Sequence, residues 1–96
     1  MSDPRQKEAD RAVAALAGKG QLTDKTQKQY RRDLTAILAS CGASRLADLV
    51  PKRVLACEWV RTKAPSTQHK YWRMLASLHW ASGSKAVAEA FKIKKN

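Results

Sequence analysis

The stretch from Tyr30 onward sets the tightest constraint on the fold. Leu34, Ile37, Leu38 and Cys41 follow Tyr30 at steps of four, seven, eight and eleven residues. That spacing puts all five on one stripe of a helix with 3.6 residues per turn. Thr23 or Asp24 can cap the start of this segment, and Gly42 suits its end. The reading is therefore one helix over Asp24–Cys41, with Lys25, Lys28 and Arg32 opposite the stripe and Arg31 on its flank. No segment alternates convincingly with the period of two that a strand requires.

Glycine and proline divide the rest of the chain into similar units. A first helix is expected over Pro4–Ala17, with Asp3 as its cap and Gly18 or Gly20 as its stop. Its apolar face is small: Ala9, Ala12, Val13 and Leu16. Leu46 and Leu49 are predicted to plug the core from a connection. Pro51 then opens a helix predicted to run to Thr62 and to bury Val54, Leu55 and Trp59. Pro65 disfavours the helical conformation at Ala64. The next helix is expected to be capped by Ser66 or Thr67 and stopped by Gly83. Its stripe would hold Tyr71, Leu75, Leu78 and Ser82, with Trp72 and His79 beside it and Lys70, Arg73 and Ser77 on the far side. A last helix after Ser84 presents Ala86, Val87, Ala90 and Phe91 and ends in the cationic Lys-Ile-Lys-Lys-Asn run. The predicted fold is an all-α, compact bundle of four to five helices in one domain spanning 1–96.

Charge narrows the partners. The 96 residues carry 19 Lys and Arg against 8 Asp and Glu, a net +11. So large an excess in so short a chain predicts a polyanionic partner, with double-stranded DNA first, and anionic membrane or acidic protein behind it. No apolar run is long enough to span a bilayer. The polar opening Met-Ser-Asp-Pro-Arg-Gln-Lys-Glu-Ala-Asp has no apolar leader region. A cytoplasmic protein with reduced Cys41 and Cys57 is expected.

A catalytic reading finds little to work with. The carboxylates are scattered among basic residues, and no glycine-rich phosphate loop or nucleophile elbow is present. His69 and His79 stand ten residues apart on one helix, roughly 1000° of rotation, so they point to different faces and cannot share a metal. His69 reads as a surface contact and His79 as a core-edge residue. No cofactor, metal or small-molecule substrate is expected.

Two helix starts fit nucleic acid better. One offers Lys25, Thr26, Lys28, Gln29 and Arg32. The other offers Thr67, Gln68, His69, Lys70 and Arg73. A helix N-terminus has free amide hydrogens that suit phosphate. Arg, Lys and Gln can then reach base edges in the major groove.

The segment LTDKTQKQYRRDLTAIL also resembles the opening signature of the core-binding domain of tyrosine recombinases, the phage integrase family, through Thr23, Thr26, Tyr30 and Leu34. The segments ASRLADLVPKRVLACEWV and APSTQHKYWRMLASLHWASG resemble the family's next elements in order. In the second of these Thr67, Leu75, Leu78 and Gly83 match. The resemblance spans about Leu22–Gly83. It implies a SAM-like helical domain forming half of a clamp on a recombination site of a mobile genetic element, encoded by a bacterium or phage. In that family the two helices that begin at Thr23 and Ser66 cross the major groove. It also implies that Ala86, Val87, Ala90 and Phe91 pack on a neighbouring protomer. The family's chemistry uses two Arg, a His and a nucleophilic Tyr in a separate domain with no counterpart in these residues. The resemblance therefore implies DNA binding for site-specific integration and recombination, and no catalysis by this chain alone. The alternative is a stand-alone regulatory protein of a plasmid or phage, binding DNA or another protein. Trp80 leaves two readings open: an outward contact beside Arg73 and Ser77, or a residue packed under the last helix.

Overall fold

In the computed structural model, which describes residues 3–20 and 22–94, the chain folds from the order of its helix signals. Asp3 accepts the Arg5 backbone N–H on its Oδ1 (3.0 Å), and Pro4 takes the first helical position. Helix α1 then runs Pro4–Lys19 and closes at Gly20. Its stripe is Ala9, Ala12, Val13 and Leu16, all buried. Those small side chains let α1 lie close along α2 and α5.

Helix α2 spans Asp24–Cys41, capped by Thr23, whose Oγ1 accepts the Thr26 N–H (3.1 Å). Gly42 ends it at φ +68, a left-handed conformation that glycine adopts without Cβ strain. The Ala43 N–H then donates back to the Leu38 carbonyl (2.9 Å) and closes the turn. Leu34, Ile37 and Leu38 are fully buried, while Tyr30 and Cys41 sit at the edge of the core.

The connection holds a single 3-10 turn, Leu46–Asp48. Leu46 and Leu49 both reach the core, as their spacing predicts. Two residues of α1 hold this loop. The Arg5 Nε donates to the Ala43 carbonyl (2.9 Å), and the Glu8 Oε2 accepts the Leu46 N–H (2.8 Å).

The segment predicted as one helix from Pro51 is two. Helix α3 is Pro51–Leu55 and helix α4 is Glu58–Arg61. Between them Cys57 is extended, at ψ 113. The break lets Val54, Cys57 and Val60 all face inward. On one continuous helix these positions, three apart, would fan across about 120°, so the break narrows the direction they share. Leu55, predicted as core, is instead 49% exposed, and Trp59 is half-buried.

Helix α5, Pro65–Ala81, is the central element. Tyr71, Trp72, Met74, Leu75, Ala76, Leu78, His79 and Ala81 are all buried, so it is covered around most of its circumference. Gly83 turns the chain at φ +89 into α6, Lys85–Lys94. Helix α6 packs chiefly on α5. Phe91 is fully buried there, edge-on to Trp72 (4.9 Å) and stacked on His79 (5.3 Å). This withdraws Phe91 from the face, Ala86, Val87, Ala90 and Phe91, that was expected to meet a second protomer. Phe91 and Val87 are used by the chain's own core, because α5 has an aromatic flank that needs a cover, and only Ala86 of the four is exposed. The cationic run predicted to close α6 extends to Lys95 and Asn96, which lie outside the described residues. The architecture is an all-α bundle of six helices among the described residues, one more than the longest count expected, because the middle helix is divided.

Candidate nucleic-acid interface

The basic side chains on α2 divide by what holds them. Lys25, Lys28 and Arg32 are exposed. Arg31, on the flank, reaches Asp10 of α1 (Nε–Oδ1 3.6 Å). Thr26 is tied into the helix start, its Oγ1 accepting from the Thr23 hydroxyl (2.9 Å). The Gln29 amide donates to both oxygens of Asp33 (3.1 Å each). Asp33 is buried, so this bond answers a carboxylate largely withdrawn from water. Gln29 therefore holds the protein's own charge rather than a free recognition group.

The start of α5 is built differently from the one expected. Neither Ser66 nor Thr67 is its cap. Ala64 holds that position at ψ 151, the extended conformation imposed by the following proline, and Pro65 is the first helical residue. No side chain caps the helix. Ser66 and Thr67 thus lie inside the first turn, where helix geometry gives their N–H groups no backbone acceptor. The Gln68 amide donates to the Lys63 carbonyl (2.7 Å) and more weakly to the Arg61 carbonyl (3.4 Å). It locks the α4–α5 corner, so it too is occupied within the fold. His69, Lys70 and Arg73 are exposed, and Thr67 is half-buried.

The corner is reinforced by rings. Trp59 stacks on Tyr71 (5.5 Å, 14°), and the Lys63 ammonium lies over Trp59 (4.4 Å). Burial first, and the Asp33 charge second, push the Tyr71 phenol up, away from ionisation. Tyr71 is a structural strut and Tyr30 a groove wall.

These supports bring residues of α2 and α5 to one groove. Tyr30 from α2 faces Ser66, His69, Lys70, Arg73 and Ser77 from α5 around about 320 Å³. The lining includes three basic or imidazole side chains and no carboxylate. Lys70, Arg73 and His69 were foreseen at this surface. Tyr30 and Ser66 were not, because the apolar stripe assigned Tyr30 to the core and the hydroxyl assigned Ser66 to a cap. Tyr30 stands at the first position of its stripe, where exposure at one edge is the natural signal. Lys25, Thr26, Lys28, Gln29, Arg32, Thr67 and Gln68 lie outside the groove lining; Gln68 borders a separate recess with Leu55, Arg61 and Trp72.

Other chemistry finds few supports. Among the described residues no cluster of His, Cys, Asp or Glu could hold a metal. Cys41 and Cys57, distant in sequence, are neighbours in space. Burial first, and the Cys57 thiol second, push Cys41 up to about 12, which leaves it a neutral thiol. No described helix is long and apolar enough to cross a membrane. Trp80 is 46% exposed with the Lys19 ammonium 5.7 Å from its ring, so it is not covered by α6. No protein-family model, curated protein sequence or solved structure matches the chain.

Proposed function

We propose that this chain binds double-stranded DNA across the α2 and α5 starts, as the core-binding domain of a tyrosine recombinase would. The observation that carries the reading is the carboxylate-free groove lined by Tyr30, Ser66, His69, Lys70, Arg73 and Ser77 in a chain of net charge +11. Lys70 and Arg73 take backbone phosphates, and the uncapped first turn of α5 offers further N–H donors to the same strand. Lys25, Lys28 and Arg32 extend the contact along α2. Sequence preference falls to His69, Arg73 and Arg32, because Gln29 and Gln68 are bonded within the protein. The chain performs no reaction alone in this reading, works in a cytoplasm, and serves a larger integration assembly.

A gel-shift titration against salt tests it. Engagement of about six phosphates gives a log–log slope near −5. A flat response overturns the reading.

Exposed Trp80 supports a second reading, in which the chain is a protein-interaction module. In that case Trp80→Ala abolishes a protein complex while leaving folding and DNA affinity unchanged.

A further inference from the structure

The side chains lining the groove between α2 and α5 are uncommitted. Among the described residues Tyr30, Ser66, His69, Lys70, Arg73 and Ser77 have no side-chain hydrogen bond, ion pair or ring partner. Their neighbours at the same helix starts are occupied: Gln29 by Asp33, Gln68 by the Lys63 carbonyl, and Arg31 by Asp10. Ser66, His69, Lys70 and Arg73 are exposed, and Tyr30 and Ser77 are half-buried, so all six are open to a ligand.

Tyr30 is the member that contact with paired DNA leaves without a task. Other rings are in use within the fold: Trp59 stacks on Tyr71, and Trp72 meets Phe91 edge-on. Trp80, beside the Lys19 ammonium, lies outside this groove. An aromatic ring in a cationic groove is the combination that holds unpaired bases, with the ring as stacking surface and the cations along the backbone. In a duplex each base covers the faces of its neighbours, and only base edges show in the grooves. A ring on the wall of a recess therefore gains little from paired DNA. An unpaired base can leave the stack and lie against it.

Size and chemistry agree with one such base. About 320 Å³ is at the small end of ligand sites, room for a single nucleotide rather than a run of them. Lys70 and Arg73 suit its phosphate, and no carboxylate in the lining opposes them. Ser66, Ser77 and His69 supply donors and acceptors for its base edge.

We infer that this groove receives one unpaired nucleotide, its base on the Tyr30 ring and its phosphate on Lys70 and Arg73. The inference rests on the DNA reading and narrows it: the chain prefers DNA with an unpaired base at the contact to an uninterrupted duplex.

The test is a gel-shift titration of the full chain with three short DNAs of one sequence. One is an intact duplex, one has a single-nucleotide gap opposite a thymine, and one has the same gap opposite an abasic residue. The two gapped DNAs share flexibility and differ only in the base. The thymine gap is expected to bind about tenfold more tightly than the abasic gap. Tyr30→Leu removes that difference and Tyr30→Phe keeps it, with melting temperature recorded for each. Should Tyr30→Leu fail to fold, photocrosslinking of the parent chain decides: 5-iodouracil at the unpaired position attaches to Tyr30, located by peptide mass spectrometry. Equal binding of the two gapped DNAs, with salt-dependent duplex binding retained, overturns this inference and leaves the DNA reading standing. A flat salt response for all three DNAs overturns both. A folded Tyr30→Leu chain that keeps the preference, or a crosslink outside the groove, also overturns the inference.

Discussion

At His79 a titratable ring sits at zero exposure between the Phe91 ring and the Leu49 carbonyl. Burial is the larger influence and lowers its pKa from 6.5; the Leu49 bond opposes it. The folded chain therefore resists a proton that the unfolded chain accepts. The stability linked to this ring is complete above pH 6.5 and is lost as pH falls below it toward the folded value. We predict an NMR titration midpoint for His79 below 6.5, together with a lower urea midpoint at pH 5.5 than at pH 7.5. A His79 midpoint at or above 6.5 sinks this account. Glu8 adds a second, more acid window. The Arg11 hydrogen bond leads in holding its carboxyl below 4.5, helped by the Leu46 N–H, so that contribution is present above 4.5 and disappears as pH falls below it. Single residues were only partly legible in the sequence. The composition of the two helix starts marked Gln29 and Gln68 as recognition groups. Their actual partners, Asp33 and the Lys63 carbonyl, depend on burial and on a corner that spacing along one helix does not reveal.

Elements were legible where local signals agreed. Thr23, the stripe and Gly42 all specify α2, and the helix has the bounds they set. The middle helix was misread because Pro51 to Thr62 contains no glycine or internal proline to mark a break. Its division comes from tertiary packing: Val54, Cys57 and Val60 are drawn into one core, and the extended Cys57 is the cost. A substitution pair measures this directly. Val54 is fully buried, so Val54→Ala should cost about 2 kcal/mol by urea denaturation. Leu55→Ser, at a 49% exposed position, should change stability by less than about 0.5 kcal/mol. A continuous helix burying both residues would make the two losses similar. Gly42 gives the matching test for α2. At φ +68 an alanine is strained even though nothing crowds its Cβ, so Gly42→Ala should cost about 1 kcal/mol.

For the whole molecule the question is whether charge acts through its total or through its placement. A net +11 alone attracts any polyanion, and the sequence could say little more than that. The fold adds a location, since the α4–α5 corner, held by Gln68, Trp59 and Tyr71, sets Lys70 and Arg73 beside Tyr30 of α2. Two double reversals separate the possibilities. Lys70→Glu with Arg73→Glu, and Lys52→Glu with Lys85→Glu, each take the net charge from +11 to 11 − 4 = +7. All four positions are exposed, so each variant should melt within a few degrees of the parent, as surface changes do. If placement governs, the groove pair weakens DNA binding by about a hundredfold and reduces the salt slope by about 2. The second pair, outside the groove lining, weakens it by less than about tenfold and leaves the slope nearly unchanged, since it removes long-range attraction but no bound phosphate. Equal losses from the two pairs, measured side by side at one ionic strength, would mean that net charge alone draws the DNA and that the groove has no special part in holding it.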